Sequence, residues 1–183
     1  KQLMLERKDG KKDIRPTSAN QMPCLFGWQA IDPKARSVVI CEGEIDAMSL
    51  KQIGVDALSV PFGAGGGQKQ AWIENEFDNL EPFDSIFLCM DQDEEGTKAT
   101  SEIAERLGRH RCRVVDIGCK DANDALKDGM DIFDLQARLL AAKSLDPEEL
   151  KEAGEYCDEV IREFYPPDNL SMGFLTPWSK VGS

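Results

Sequence analysis

The chain has no apolar run long enough to cross a bilayer. Nor does it open on a leader peptide, because Lys1 to Asn20 is mixed charge without an apolar centre. The six cysteines stand at 24, 41, 89, 112, 119 and 157, and no two form a C-x-x-C pair. That spacing offers no zinc module and no disulfide framework, which fits a reducing compartment. The one histidine, His110, sits between Arg109 and Arg111 in a polar loop and reads as surface. Positive charge is scarce too, with 22 Lys and Arg against 34 Asp and Glu, a net −12. The imbalance is uneven: residues 1–36 hold eight basic against four acidic side chains, 37–130 nine against nineteen, and 131–183 five against eleven. An acidic body repels a phosphate backbone, so any contact with nucleic acid must use a local basic patch, a bound cation or parts outside this chain.

What is present is a repeated local grammar. Val38-Val-Ile-Cys41 is a β-branched apolar run that ends in Glu42 and Gly43, and a helical pattern follows with Asp46 in its first turn. Ser85-Ile-Phe-Leu-Cys-Met90 is a second such run, ending in Asp91-Gln92-Asp93. Both read as buried strands that deliver carboxylates at their C-terminal tips, where open α/β sheets bind ligands.

The rest of 37–130 alternates in the same way. Helices are expected over Glu44–Ile53 (Ile45, Met48 and Ile53 inward), Lys69–Leu80 (Trp72, Ile73, Phe77 and Leu80 inward), Glu94–Leu107 (Ala99, Ile103, Ala104 and Leu107 inward) and Ala122–Lys127. Strands are expected at Val38–Cys41, Ala57–Val60, Ser85–Met90 and Arg113–Ile117. This alternation predicts an α/β fold with about four mainly parallel strands and helices on both faces. Upstream, Leu3–Arg7 and Cys24–Phe26 read as short strands, with a hairpin turn at Lys8-Asp9-Gly10. Downstream, Ile132–Leu140 is helical. Asp146-Pro147-Glu148-Glu149 then starts a further helix with an apolar stripe through Leu150, Ala153, Cys157, Val160, Ile161 and Phe164, ended by Pro166-Pro167. Four regions result: 1–36, a basic N-terminal subdomain end; 37–130, the α/β domain; 131–165, a helical linker; and 166–183, a connecting tail or the start of a further domain. The start at Lys1 and the finish at Lys180–Ser183 suggest a piece of a longer protein.

Glu42, Asp46, Asp91 and Asp93 are the candidate site. In extended backbone, residues i and i+2 point the same way, so Asp91 and Asp93 can face one ion. Without a cation such acids repel; two unit charges ~4 Å apart cost ~4 kcal/mol at an effective dielectric of about 20. Mg²⁺ takes hard oxygen ligands and keeps several waters, which suits such a group. The plainer alternative makes Asp91 or Asp93 a helix cap, and reads Asp121, three residues before Asp124, likewise. The basic cluster Lys8, Lys11, Lys12 and Arg15 is either a solvated turn or an edge that holds phosphates. Gly63-Ala-Gly-Gly-Gly67 can cradle a phosphate but lacks the lysine and hydroxyl of a nucleotide-binding P-loop, and a flexible turn is the simpler reading.

Glu42-Gly43-Glu44-Ile45-Asp46-Ala47 followed by Met90-Asp91-Gln92-Asp93-Glu94-Glu95-Gly96 resembles the Toprim domain of bacterial-type primases, topoisomerases and some nucleases. Cys119-Lys120-Asp121-Ala122-Asn123-Asp124-Ala125 and Cys24-Leu25-Phe26-Gly27 narrow the resemblance to phage primase–helicases and Twinkle-type helicases, over about residues 24–130. The resemblance implies a Rossmann-like Toprim fold and Mg²⁺- or Mn²⁺-dependent synthesis of RNA primers on single-stranded DNA from nucleoside triphosphates. It assigns Glu42 beside the reacting phosphates and, with Asp91, Asp93 and Asp121, to the metal, and has Asp46 and Asp121 complete the acidic site as ligands or as groups supporting the ligands. It assigns Lys8, Lys12 and Lys120 to nucleotide or DNA. It also implies subunit contacts through the helix over 146–164 in a ring, no membrane, and a cytoplasmic setting in a phage-infected or prophage-bearing bacterium. A Toprim-type nuclease and a catalytically silent support for a hexameric helicase are the alternatives. Tyr156 and Tyr165 are poorly placed as a topoisomerase nucleophile.

Overall fold

A computed structural model describes residues 2–6, 12–16, 22–63, 67–91, 93–145 and 153–164. The chain divides into two compact units, Lys1–Leu145 and Asp146–Ser183. In the first unit, β1 (Gln2–Glu6) and β2 (Lys12–Pro16) pair antiparallel. The expected turn residue Lys8 and its neighbour Lys11 lie outside the described residues, as does the side chain of Lys12. Then follow β3 (Ser37–Cys41), α1 (Glu44–Ile53), β4 (Ala57–Ser59), α2 (Trp72–Leu80), β5 (Ser85–Cys89) and α3 (Glu94–Leu107). The unit closes with β6 (Cys112–Val114), α4 (Ala122–Lys127), α5 (Ile132–Leu140) and β7 (Lys143–Ser144).

The sheet order is β4-β3-β5-β6-β7. The first four strands are mutually parallel, and β7 adds a short antiparallel edge that the sequence pattern did not signal. Alternation along each strand separates two cores. Val38, Ile40, Leu58, Ile86 and Leu88 face α2 and α3, where Trp72, Ile73, Leu80, Ile103 and Leu107 cover them. Val39, Cys41, Ala57 and Cys89 face the other side, covered by Ala47 and Leu50 of α1, Ala122 and Ala125 of α4, and Leu135 of α5. Both faces of the central strands are buried, which is why they read as continuous apolar runs.

Four expectations are corrected. Cys24–Phe26 is no strand; Phe26 makes one isolated antiparallel bridge to Ser59. On α1, Ile45 and Met48 are exposed and the buried face runs through Ala47, Ser49 and Leu50, because the helix packs closely against α4 and small Ala47 fits the contact. On α2, Phe77 points outward and Glu76 is buried in its stead at 3% exposure. That carboxylate is satisfied: Oε1 accepts the Leu25 N–H at 2.9 Å and Oε2 accepts from Asn79 Nδ2 at 2.8 Å, tying the 23–26 segment to α2. The helix expected from Lys69 begins as a 3-10 turn over Gly67–Gln70 and becomes α-helical at Trp72.

Arg111 links the two helices of one face. Its Nε donates to the Leu107 carbonyl at 2.7 Å, and Nη1 donates to the carbonyls of Leu80 at 3.1 Å and Phe83 at 3.3 Å. The last-turn carbonyls of α2 and α3, which lack partners within their own helices, thus share one cation.

In the second unit, α6 (Cys157–Phe164) follows a 3-10 turn over Ala153–Tyr156 and leaves Val160, Ile161 and Phe164 exposed. The expected helix start at 146–149 and the tail at 166–183 lie outside the described residues. No helix among the described residues is long and apolar enough to cross a membrane.

Replacing Arg111 by Met keeps its stem and removes the charge-assisted bonds, at a cost of about 2 kcal/mol in urea unfolding. Lys at the same position recovers only part, because one ammonium does not reproduce the guanidinium fork.

Candidate active site at the strand ends

The register of β3 on β5 pairs Cys41 with Cys89. Glu42 and Met90 therefore leave the sheet side by side, and Asp91 follows. The chain passes from β3 outward to β4 and then returns to β5 on the opposite side of β3. The two strand tips flank the point where the winding reverses, the place where doubly wound sheets open a crevice.

One pocket there is lined by Glu42, Asp46, Asp91, Lys120 and Asp121, together with the thiols of Cys41 and Cys89. Acids from three separate segments meet in it. Asp93 does not line the pocket. It is the N-cap of α3, and its Oδ1 accepts the Gly96 N–H at 2.7 Å. One oxygen of Asp93 is thus spent on the helix end, and the other is not used by that cap. Asp93 still lies near enough to raise the carboxyl of Asp91. Asp121 caps α4, accepting the Asp124 N–H at 2.8 Å. Asp46 accepts the Asn123 N–H at 3.1 Å, 77 residues away. Gly63, at φ +76°, brings its backbone against Glu42: a Cβ there would stand 3.1 Å from Oε1. Residues 64–66 of the glycine-rich loop lie outside the described residues.

Gly96 is required by the close approach of α3 to the tip of β5. A Cβ on it would lie 2.1 Å from the Asp91 carbonyl oxygen, a clash with backbone that no side-chain adjustment relieves.

The electrostatics follow from the crowding. Burial raises the carboxyl of Asp46, helped by the charges of Asp121 and Asp91 and opposed by the Asn123 and Ala122 N–H groups. Burial likewise raises Asp91, followed by the charges of Asp93 and Asp121, with Lys120 opposing. Burial and the nearby acids push the Cys89 thiol up to about 12, and Cys41 is raised by burial and by Cys89. Burial thus favours the neutral thiol at both positions.

The donor set fits a hard divalent cation. It consists of carboxylates whose mutual repulsion a cation would relieve, and Asp93 and Asp121 each commit one oxygen to a helix end. Among the described residues no three acidic, thiol or imidazole groups converge at coordination distance. Sequence reasoning missed the bond from Asp46 to Asn123 and the Gly63 approach to Glu42. Neither has a local signal, because the partners are far apart in the chain.

A mainly parallel doubly wound sheet with acids at its switch point is an α/β fold whose candidate site lies where such sheets bind ligands. Residues 39–126 match the model of the Toprim-like family, and this segment is a Toprim-like domain. The chain is 31% identical over 120 residues to a DNA helicase/primase of Enterobacteria phage T3, covering 64% of this chain and 21% of that protein. It is 27% identical over 176 residues to the chloroplastic/mitochondrial Twinkle homolog protein of Arabidopsis thaliana, covering 86% of this chain and 25% of that one. The chain thus spans about a fifth to a quarter of the length of these relatives. A solved assembly of bacteriophage T7 lagging-strand DNA polymerase with primase domains of two gp4 subunits bound to an RNA/DNA hybrid and dTTP aligns with TM-score 0.62 and 25% identity. That alignment covers 78% of this chain and 71% of that one. The domain is related to the primase region of phage primase–helicases.

Asp91 titrates above its ordinary range in the fold, so its charged form is disfavoured there. The stability it contributes is complete below the unfolded pKa and is lost as pH rises through the folded one. Without divalent ions, Asp91→Asn is expected to melt higher than the parent at pH 7, and the gap should close as pH falls into the carboxylate range. A lower melting point for the variant at pH 7 contradicts this origin of the shift. Gly96→Ala is expected to cost roughly 2–3 kcal/mol in urea unfolding, from overpacking against backbone.

Proposed function

We propose that this domain is the catalytic centre of a DNA primase–helicase, joining ribonucleotides into short primers on single-stranded DNA during replication. The single observation that carries the reading is the meeting of Glu42, Asp91 and Asp121 in one pocket at the switch point, with Lys120 on its rim. The kinship with phage helicase/primase supports the choice of nucleotidyl transfer among Toprim chemistries.

In the proposed reaction a primer 3′-hydroxyl attacks the α-phosphate of a nucleoside triphosphate and pyrophosphate leaves. Asp91 and Asp93 hold Mg²⁺ (Mn²⁺ can substitute), and Asp121 borders the same space. The ion supplies charge neutralisation on the phosphates and alignment of attacking and leaving oxygens. Glu42, at the tip of β3, stands beside the reacting phosphates and handles the hydroxyl proton. Lys120 contacts a phosphate oxygen. Lys8 and Lys12 belong to the proposed nucleotide and template contacts. The segment 146–164, in which α6 leaves Val160, Ile161 and Phe164 exposed, serves a neighbouring subunit. The proposed setting is the cytoplasm of a phage-infected or prophage-bearing bacterium.

Two measurements test this. Mg²⁺ is expected to raise the melting point of the chain at pH 7. A ten-fold excess over Kd corresponds to about 1.4 kcal/mol, and the gain should disappear in Asp91→Asn/Asp93→Asn. A full-length protein carrying this chain should extend labelled RNA on single-stranded DNA with nucleoside triphosphates, and the double variant should lose at least ~100-fold of that rate. Degradation of DNA without nucleotides would make the domain a nuclease. Ring assembly with neither activity would make it a support for the helicase.

A further inference from the structure

The segment that brings Lys120 and Asp121 to the pocket is not part of the sheet. It runs from Asp116 to the N-terminus of α4, and something must hold it against the strand tips. One hold comes from α5. Arg138 Nη1 donates to the Asp116 carbonyl at 3.1 Å, and its guanidinium lies over Gly118, where a Cβ would stand 2.7 Å from Nη1. The other comes from α1. Asp46 Oδ1 accepts the Asn123 N–H at 3.1 Å, and the Ala122 N–H stands near enough to favour the charged carboxylate. These are orphan donors of the first turn of α4, which no intrahelical carbonyl reaches. The second oxygen of Asp46 is turned onto Gly43, whose missing side chain makes room for it: a Cβ there would stand 2.7 Å from Oδ2.

Oδ1 of Asp46 is therefore committed to α4, and Oδ2 lies against the Gly43 backbone. We infer that Asp46 is a positioning residue and not a metal ligand: it docks the first turn of α4 onto α1 and so sets Lys120 and Asp121 at the pocket. This deepens the proposed function and rests on it for the purpose of the pocket, while the docking itself does not depend on any ion. The spacing Glu42-Gly43-x-x-Asp46 gains a physical reason. Glu42 reaches into the pocket from the strand tip, Gly43 makes space, and Asp46, one helical turn on, reaches back past Gly43 to α4. Asp121 in turn caps α4 itself, so a shift of that helix end moves the acid with it.

The role requires an acceptor oxygen at position 46 and does not require its charge. Asp46→Asn keeps Oδ1, whereas Asp46→Ala removes it. With no divalent ion present, hydrogen exchange at the Asn123 and Ala122 amides should be protected in the parent and in Asp46→Asn. It should be at least ten-fold faster in Asp46→Ala, with β3 and β5 amides unchanged. Mg²⁺ titration followed by melting point should then give Asp46→Asn an affinity within about three-fold of the parent, and Asp46→Ala a loss of ten-fold or more.

If Asp46→Asn loses Mg²⁺ binding as fully as Asp91→Asn does, Asp46 is a ligand and the inference fails, whether or not the alanine variant folds. It fails equally if the Asn123 amide exchanges at the parental rate in Asp46→Ala. An absence of any Mg²⁺ effect on the parent chain would overturn the proposed metal site instead and leave the amide-exchange result to decide the docking.

Discussion

The parallel pairing of β3 with β5 is the contact on which the site depends. Its register aligns Cys41 with Cys89, so two chain segments separated by nearly fifty residues leave the sheet together, each carrying an acid. A slip of one residue would turn the apolar set of β3 to the wrong faces and move Glu42 away from Asp91. The burial of both faces makes that slip costly. Val38 and Ile40 are needed on the α2–α3 side, and Val39 and Cys41 on the α1–α4 side.

Crowding carboxylates at one edge carries an electrostatic cost, and the fold distributes it among helix N-termini. Asp93 leans on α3, Asp121 on α4, and Asp46 on the same α4 from across the pocket. Each acid accepts an N–H that the helix cannot satisfy internally, so the partial positive charge of the helix end offsets part of the repulsion. Asp91 has no such partner among the helix N–H groups named above, and Lys120 gives it only partial relief. Its carboxyl is accordingly raised by burial and by its acidic neighbours. For Asp93 and Asp121 the plain reading as caps and the reading as part of a metal site are not rivals, because each spends one carboxylate oxygen on its helix end and keeps a second.

The glycines of the site have separate jobs that residue type alone does not distinguish. Gly96 admits the backbone of Asp91, Gly43 admits a carboxylate oxygen of Asp46, and Gly63 approaches Glu42 with a left-handed backbone. Arg138 and Asp46 then hold the Asp116–Asp121 segment from two sides. The result is a rigid acidic rim assembled from loops that have little regular structure of their own.

Much was legible from the amino acids alone. Continuous β-branched runs that stop at acids can only be doubly buried strands, since an unpaired charge cannot stay inside; this located β3, β5 and the acidic tips. Alternation with helical periods determined a parallel sheet, because parallel strands need a crossover between them. Inward faces were another matter. Ile45, Met48 and Phe77 fit the helical period yet lie exposed, while Ala47 and Glu76 are buried. Helix orientation is decided by the neighbour it must fit and by the hydrogen bonds available there, not by apolar content alone. The bond from Asp46 to Asn123 likewise joins residues with no local relation. Composition and spacing determined which chemistry this chain can offer. Only tertiary structure decided which oxygen of each acid faces the pocket, because that depends on where distant helix ends come to rest.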